Sequence, residues 1–151
     1  MPVQTTFNET MRQGVPGMVN RMVDYNAVTR NCATAAGMLP ARAVSQGATD
    51  IDAVIGGTLV GFLGITILDP TIVNLAAPDT YPQYSNVGIL TKGEIFAAAV
   101  VAVTAGDPVH FVAADGTLTN TGAIGPIPGA RWKYTRATPG DLNVVQLGIQ
   151  R

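Results

Sequence analysis

The chain has 151 residues, 47% hydrophobic and 13% charged, with a formal net charge of −1 at neutral pH. That length suits one ordinary domain, able to bury a core without metal or disulfide, and the near-zero charge leaves no electrostatic footprint for nucleic acid. A single cysteine, Cys32, rules out an intrachain disulfide and fits a reducing compartment.

Charged residues make up about half the share usual for a soluble domain. A surface so poor in charge is common where partners cover it, as in oligomers and assemblies. The 17 glycines and 10 prolines require frequent turns. The chain opens MPVQTTFNET, without a basic segment followed by an apolar one, so no signal peptide is expected. Asn8-Glu9-Thr10 matches a glycosylation sequon but reads as chance in that setting.

Residues 1–31 differ from the rest. They carry four of the five methionines, Met1, Met11, Met18 and Met22, with Phe7, Val15, Val19, Val23 and Tyr25. Met18, Met22 and Tyr25 recur at helical spacing, which predicts a short helix over 18–28. Gly14-Val15-Pro16-Gly17 breaks any helix upstream of it. Apolar anchors between breakers describe either an arm laid over another surface or a segment packed on its own domain; the residues leave both open.

Beyond about residue 41 the chain reads as strands and turns. Strands are expected at 42–46, 53–55 and 59–68, the last with a bulge or bend at Gly61 or Gly64. Residues 53–68 are uncharged, but the run is too short to span a membrane and is rich in glycine and β-branched residues, so it reads as buried strand. Strands at 87–90 and 94–103 flank a turn at Thr91-Lys92-Gly93. A hairpin joins 108–113 to 117–120 across Ala114-Asp115-Gly116, and 131–136 and 142–149 close the chain. This punctuation predicts an all-β fold: an antiparallel β-barrel or jelly-roll-like sandwich of residues 32–151, preceded by an extended arm of residues 1–31.

The single histidine, His110, lies between Asp107 and Asp115. Both acids have turn duties, beside Pro108 and Gly116. The two serines, Ser45 and Ser85, lack a nucleophile-elbow context, and one histidine without a CxxC pair is a poor metal set. No phosphate-binding glycine loop is present. Asp50 and Asp52 read as a solvated turn, and Cys32 as a small packed residue. Trp132, with Tyr134 and Tyr81 or Tyr84, could supply a sugar-stacking platform, though an inward Trp on a strand accounts for it as well. No catalytic, cofactor-binding or metal-ligating residue is therefore expected.

Gly88-Ile89-Leu90-Thr91-Lys92-Gly93-Glu94-Ile95 is followed by Ala105-Gly106-Asp107-Pro108-Val109, Asp115-Gly116, Pro128-Gly129-Ala130-Arg131 and Leu142-Asn143-Val144-Val145-Gln146-Leu147. With the Gly/Pro arm and Arg42-Ala43-Val44-Ser45-Gln46-Gly47 upstream, this order resembles the tailed-phage structural cement proteins, the gp24-like capsid decoration family. The resemblance implies a compact β body on the outer surface of a virion capsid, made in the host cytoplasm. It implies binding to neighbouring major capsid protein subunits and self-association as a dimer or trimer. It brings no cofactor, nucleic acid, membrane or small-molecule substrate. Phe7, Met11, Val15, Met18 and Met22 are the expected contact residues of the arm. A carbohydrate-binding β module and a tail-tube or baseplate protein are the competing readings.

Overall fold

The computed structural model describes residues 14–72, 74, 77–122 and 124–148, and of residues 21–23 the backbone only. Nine strands follow in order: β1 Val19–Cys32, β2 Ala43–Gln46, β3 Asp52–Ile55, β4 Phe62–Thr66, β5 Asn86–Ala98, β6 His110–Phe111, β7 Leu118–Thr119, β8 Arg131–Trp132 and β9 Leu142–Leu147. No helix occurs among the described residues. The fold is all-β.

Seven strands form one sheet in the order β1-β3-β2-β4-β5-β9-β8, and β1 also pairs with β5. That extra pairing closes β1, β3, β2, β4 and β5 into a ring, which removes sheet edges over most of its circumference. β9 and β8 extend from the C-terminal half of β5. The pairings are antiparallel except for β1 with β3, which is parallel and brief, Asn31 facing Asp52 and Cys32 facing Ala53. The expected all-β antiparallel architecture is present, with this short parallel pair within it.

Both faces of the ring are covered. Cys32, Met38, Val44, Ala53, Tyr81, Val87 and Ile89 fill one core. Their neighbours along the strands, Ala43 and Leu90 among them, face a second core with Phe111, Leu118, Trp132 and Val145. Burial on two faces explains why these strands read as apolar runs rather than alternations. The small β6–β7 hairpin belongs to the covering layer, where Phe111 and Phe62 set their ring centroids 5.6 Å apart.

The helix expected over 18–28 is strand instead. Residues 19–31 pair with β5, Val19 facing Ile95 and Asn31 facing Asn86, and the spacing of Met18, Met22 and Tyr25 spans register shifts between Arg21 and Ala27. Pairing with a distant strand outweighs a weak local period, and Val19, Val28 and Thr29 favour extended backbone. The boundary placed between residues 31 and 32 falls inside β1.

Thr91-Lys92-Gly93 is not a turn: β5 runs through it. Gly93, at φ +130°, bends the strand as its partner changes from β4 to β9. β5 then stops at Ala98, short of the expected 103, and β8 keeps only two of the six residues expected at 131–136. The bulge expected in 59–68 is present. Val44 faces Gly64 and Ser45 faces Phe62, leaving Leu63 as the extra residue.

Candidate functional site

The residues that carry chemistry go to structural duties. Asp115 Oδ1 accepts hydrogen bonds from the Thr117 hydroxyl at 2.7 Å and the Thr117 N–H at 3.1 Å. Asp107 Oδ2 accepts from the Thr104 N–H at 2.8 Å and Asn120 Nδ2 at 2.9 Å. Those bonds hold both carboxyls below the usual range, as expected of ionised turn caps. Neither acid hydrogen-bonds His110, whose Nδ1 is buried without a partner among the described residues, its ring beside the backbone of Gly125. Ser45 is buried and donates to Gly56 O, and Ser85 donates to Pro82 O. No group of three His, Cys, Asp or Glu side chains sits close enough to hold a metal among the described residues.

The sugar platform comes apart too. Trp132 is 1% exposed, with its indole N–H directed at Thr119 O. Tyr81 is buried, and its hydroxyl donates to Ile67 O at 2.5 Å. Burial first, then the charge of Asp69, pushes that phenol up to about 12. Only Tyr84 and Tyr134 of the four proposed rings reach solvent, and they lie on separate loops.

The charged centre of the fold is Glu94, on β5 just past the bend. Its carboxylate accepts from Lys133 Nζ at 2.9 and 3.0 Å, Gln146 Nε2 at 2.9 Å and Asn20 Nδ2 at 2.6 Å. Burial alone would raise its pKa; the three donors and the Lys133 charge outweigh that, and the net direction is down. This network ties β1, β5, β9 and the residues after β8 together. It is fully satisfied and leaves nothing free for a substrate.

What remains is an apolar surface around Pro16. Residues 14–18 are seated on the body: Gly17 N–H donates to Phe96 O, Leu68 N–H to Gly17 O, and Phe96 N–H to Met18 O. Gly14 lies against the Phe96 ring so closely that a Cβ would come within 2.6 Å of it. Three grooves meet at Pro16. One of them, about 430 Å³, is lined by Val15, Leu39, Pro40, Leu68 and Pro78, with Arg42 and Asp79. Val15, Met18, Leu39 and Val100 are each between 38% and 48% exposed. Leu39 and Val100 were missed in the sequence because each lies in a segment without periodicity.

Of the expected contact residues, Val15 lines a groove at Pro16, and Met18, three residues on, is part-exposed but lines none of the three grooves. Met22 has its backbone in β1 and its side chain outside the described residues, and Phe7 and Met11 lie outside them altogether.

A family model described as structural cement protein (E217 gp24/Pam3 gp6) matches residues 3–148. A chain of the solved structure described as the capsid of Myoviridae phage XM1 has the same fold. It matches with a TM-score of 0.72 at 16% identity, over 97% of this chain and 98% of that one. No curated protein matches the sequence.

Proposed function

The chain belongs to the structural cement protein family of phages, a capsid-associated structural family, and from that premise we propose that it cements the outer surface of an icosahedral head. It binds neighbouring major capsid protein subunits and holds the expanded shell together. It does so by mass action: a ligand that binds only the assembled lattice stabilises it, and many copies add avidity. The chain is made in the host cytoplasm and joins the virion there. It needs no cofactor and transforms no substrate.

The apolar surface at Pro16 is the observation that carries this reading. A fold with its Glu94 network satisfied and few charges still leaves Val15, Leu39 and Val100 part-exposed at the grooves around Pro16, and Met18 nearby. Each side chain, fully buried by a partner, contributes about 1.5–3 kcal/mol before ordering costs. Phe7, Met11 and Met22 are proposed to extend the same contact.

The test is co-sedimentation of the purified chain with capsids lacking it, together with the heat resistance of those capsids. The native chain is expected to bind and to raise the temperature at which the shells break. Changing Val15 and Met18 together to Asp should weaken binding at least tenfold, without lowering the melting temperature of the free protein. Changing Phe7, Met11 and Met18 to Ser should do the same. Undiminished binding by both variants would sink the proposal.

A further inference from the structure

β5 carries a glycine that the fold does not require. Gly88 lies opposite Thr29 of β1, and its φ is outside the left-handed region. A Cβ there would meet only the Ile67 side chain, at 3.8 Å, an ordinary contact. Gly64 of β4 is different, since its Cβ would lie 2.1 Å from Leu90 O. A glycine inside a strand gives up stability and side-chain packing. Where neither φ nor a close neighbour demands it, it marks a place where something approaches the backbone.

The missing side chain leaves an open groove of about 550 Å³, within the range of small-molecule sites, about 300–1,000 Å³. Tyr25 and Thr29 of β1 line it on one side, and Ile67 and Asp69, after β4, on the other. β5 runs between them, with Gly88 facing Thr29 and accepting from the Ile67 N–H, and Asn86 two residues upstream.

The polar groups along this groove are unspent. Asn86 and Thr29 are exposed, and their side chains make no hydrogen bond among the described residues. Tyr25 is 41% exposed, and its hydroxyl makes none either. Asp69 accepts from the Thr71 N–H at 2.9 Å and the Thr71 hydroxyl at 2.7 Å, both through Oδ1. Those bonds fix the carboxylate, hold it below the usual range, and leave Oδ2 open.

We propose that this groove binds a short neutral saccharide of one or two pyranose units. A pyranose has C–H faces that lie on flat surfaces and an edge of hydroxyls that both donate and accept. Over Gly88 such a ring takes the place of the absent side chain. Asn86 donates and accepts, Thr29 does either, Asp69 Oδ2 accepts, and the Tyr25 ring offers a face. Hydroxyls withdrawn from water thus find partners, as a polar ligand requires. An apolar ligand would strand the Asp69 charge, and an acidic one would meet it with no Lys or Arg lining the groove. The site is distinct from Trp132 and Tyr84 and does not rest on the capsid reading.

The experiment uses the free full-length chain and a panel of neutral hexoses, N-acetylhexosamines and their disaccharides, screened by saturation-transfer NMR and then titrated. At least one is expected to bind with a Kd of about 1 mM or tighter. Gly88→Leu, which fills the groove, should weaken that binding at least tenfold. Tyr25→Ala and Asn86→Ala should do the same at exposed positions, with the melting temperature unchanged. Gly88→Ala should not lower the melting temperature, because nothing lies closer than 3.8 Å to the added Cβ. Capsid co-sedimentation of these variants should be unaffected, which separates this outcome from that of the capsid reading. No binding by any member of the panel at about 10 mM overturns the proposal. So does binding that ignores Gly88→Leu, Tyr25→Ala and Asn86→Ala alike. Loss of capsid binding in variants of a chain that takes no sugar would make the groove a protein contact, and overturns it too.

Discussion

Lys133 holds its ammonium 2.9 Å from Glu94 Oε2, although both side chains are largely withdrawn from water. Removing the cation leaves a buried carboxylate with only neutral donors. Lys133→Met is therefore expected to lower unfolding free energy by about 3–5 kcal/mol, measured by urea denaturation. Changing Lys133 to Met and Glu94 to Leu together should cost much less than Lys133→Met alone, because no charge is then stranded.

The same pair sets an acid limit on stability. The folded pKa of Glu94 lies below its ordinary 4.5. Its contribution is therefore fully present above that value and is lost as pH falls through the lower folded pKa. Unfolding free energy measured from pH 6 down to pH 2 should decline over that lower window. Glu94→Gln should make the decline shallower. Asp107 and Asp115, also held down, account for part of what remains.

Gly56 and Gly116 fasten the β6–β7 hairpin to the ring. A Cβ on Gly56 would lie 2.1 Å from Ala113 O, and one on Gly116 2.3 Å from Ala43 O. Backbone oxygens cannot move aside as side-chain ends do. Gly56→Ala is expected to cost about 3 kcal/mol or more. Gly106 also has positive φ but meets nothing within 4 Å. Gly106→Ala should cost only about 1–2 kcal/mol, the strain of the left-handed backbone alone. Equal losses in thermal melts of the two variants would refute the close-approach account.

Cys32 is fully buried, and burial pushes its thiol up, outweighing a backbone hydrogen bond at Thr34 that lowers it. Iodoacetamide at pH 8 should leave the native chain unmodified for hours and label it within minutes in denaturant, read by mass spectrometry. Rapid native labelling would mean that β1 opens at its C-terminal end.

Trp132 and Tyr84 should behave oppositely. Trp132→Ala is expected to cost about 3–5 kcal/mol, as for other buried aromatics. Tyr84, 76% exposed, should give a change within about 0.5 kcal/mol when replaced by Ala. Neither change should create or abolish glycan binding by the free chain.

Turn chemistry was legible because it is local. Asp115-Gly116 closes the β6–β7 hairpin as its residues predict, with Gly116 at φ +66° and the Asp115 side chain bound to Thr117. The strands at 42–46, 53–55 and 142–149 were found to within a few residues for the same reason: glycine or proline bounds them. Thr91-Lys92-Gly93 misled because a bend inside a strand and a turn between strands use the same residues. Only the partners on either side, β4 and then β9, tell them apart. Of the exposed apolar residues, Val15 and Met18 were visible as apolar positions among breakers, while Leu39 and Val100 had no pattern to betray them.

By itself the sequence determined an all-β body, the absence of a catalytic signature, and a family membership carried by the order of its turns. These are properties of short segments, written in φ preferences, hydrogen-bonding side chains and apolar runs. Tertiary structure alone decided that residues 19–31 form a strand, that Trp132 and Tyr81 face inward, and that three grooves converge on Pro16. Each of those depends on a neighbour tens of residues away. The free energy of pairing with β5, or of burying an indole, exceeds any preference that residues 19–31 or 131–136 hold alone.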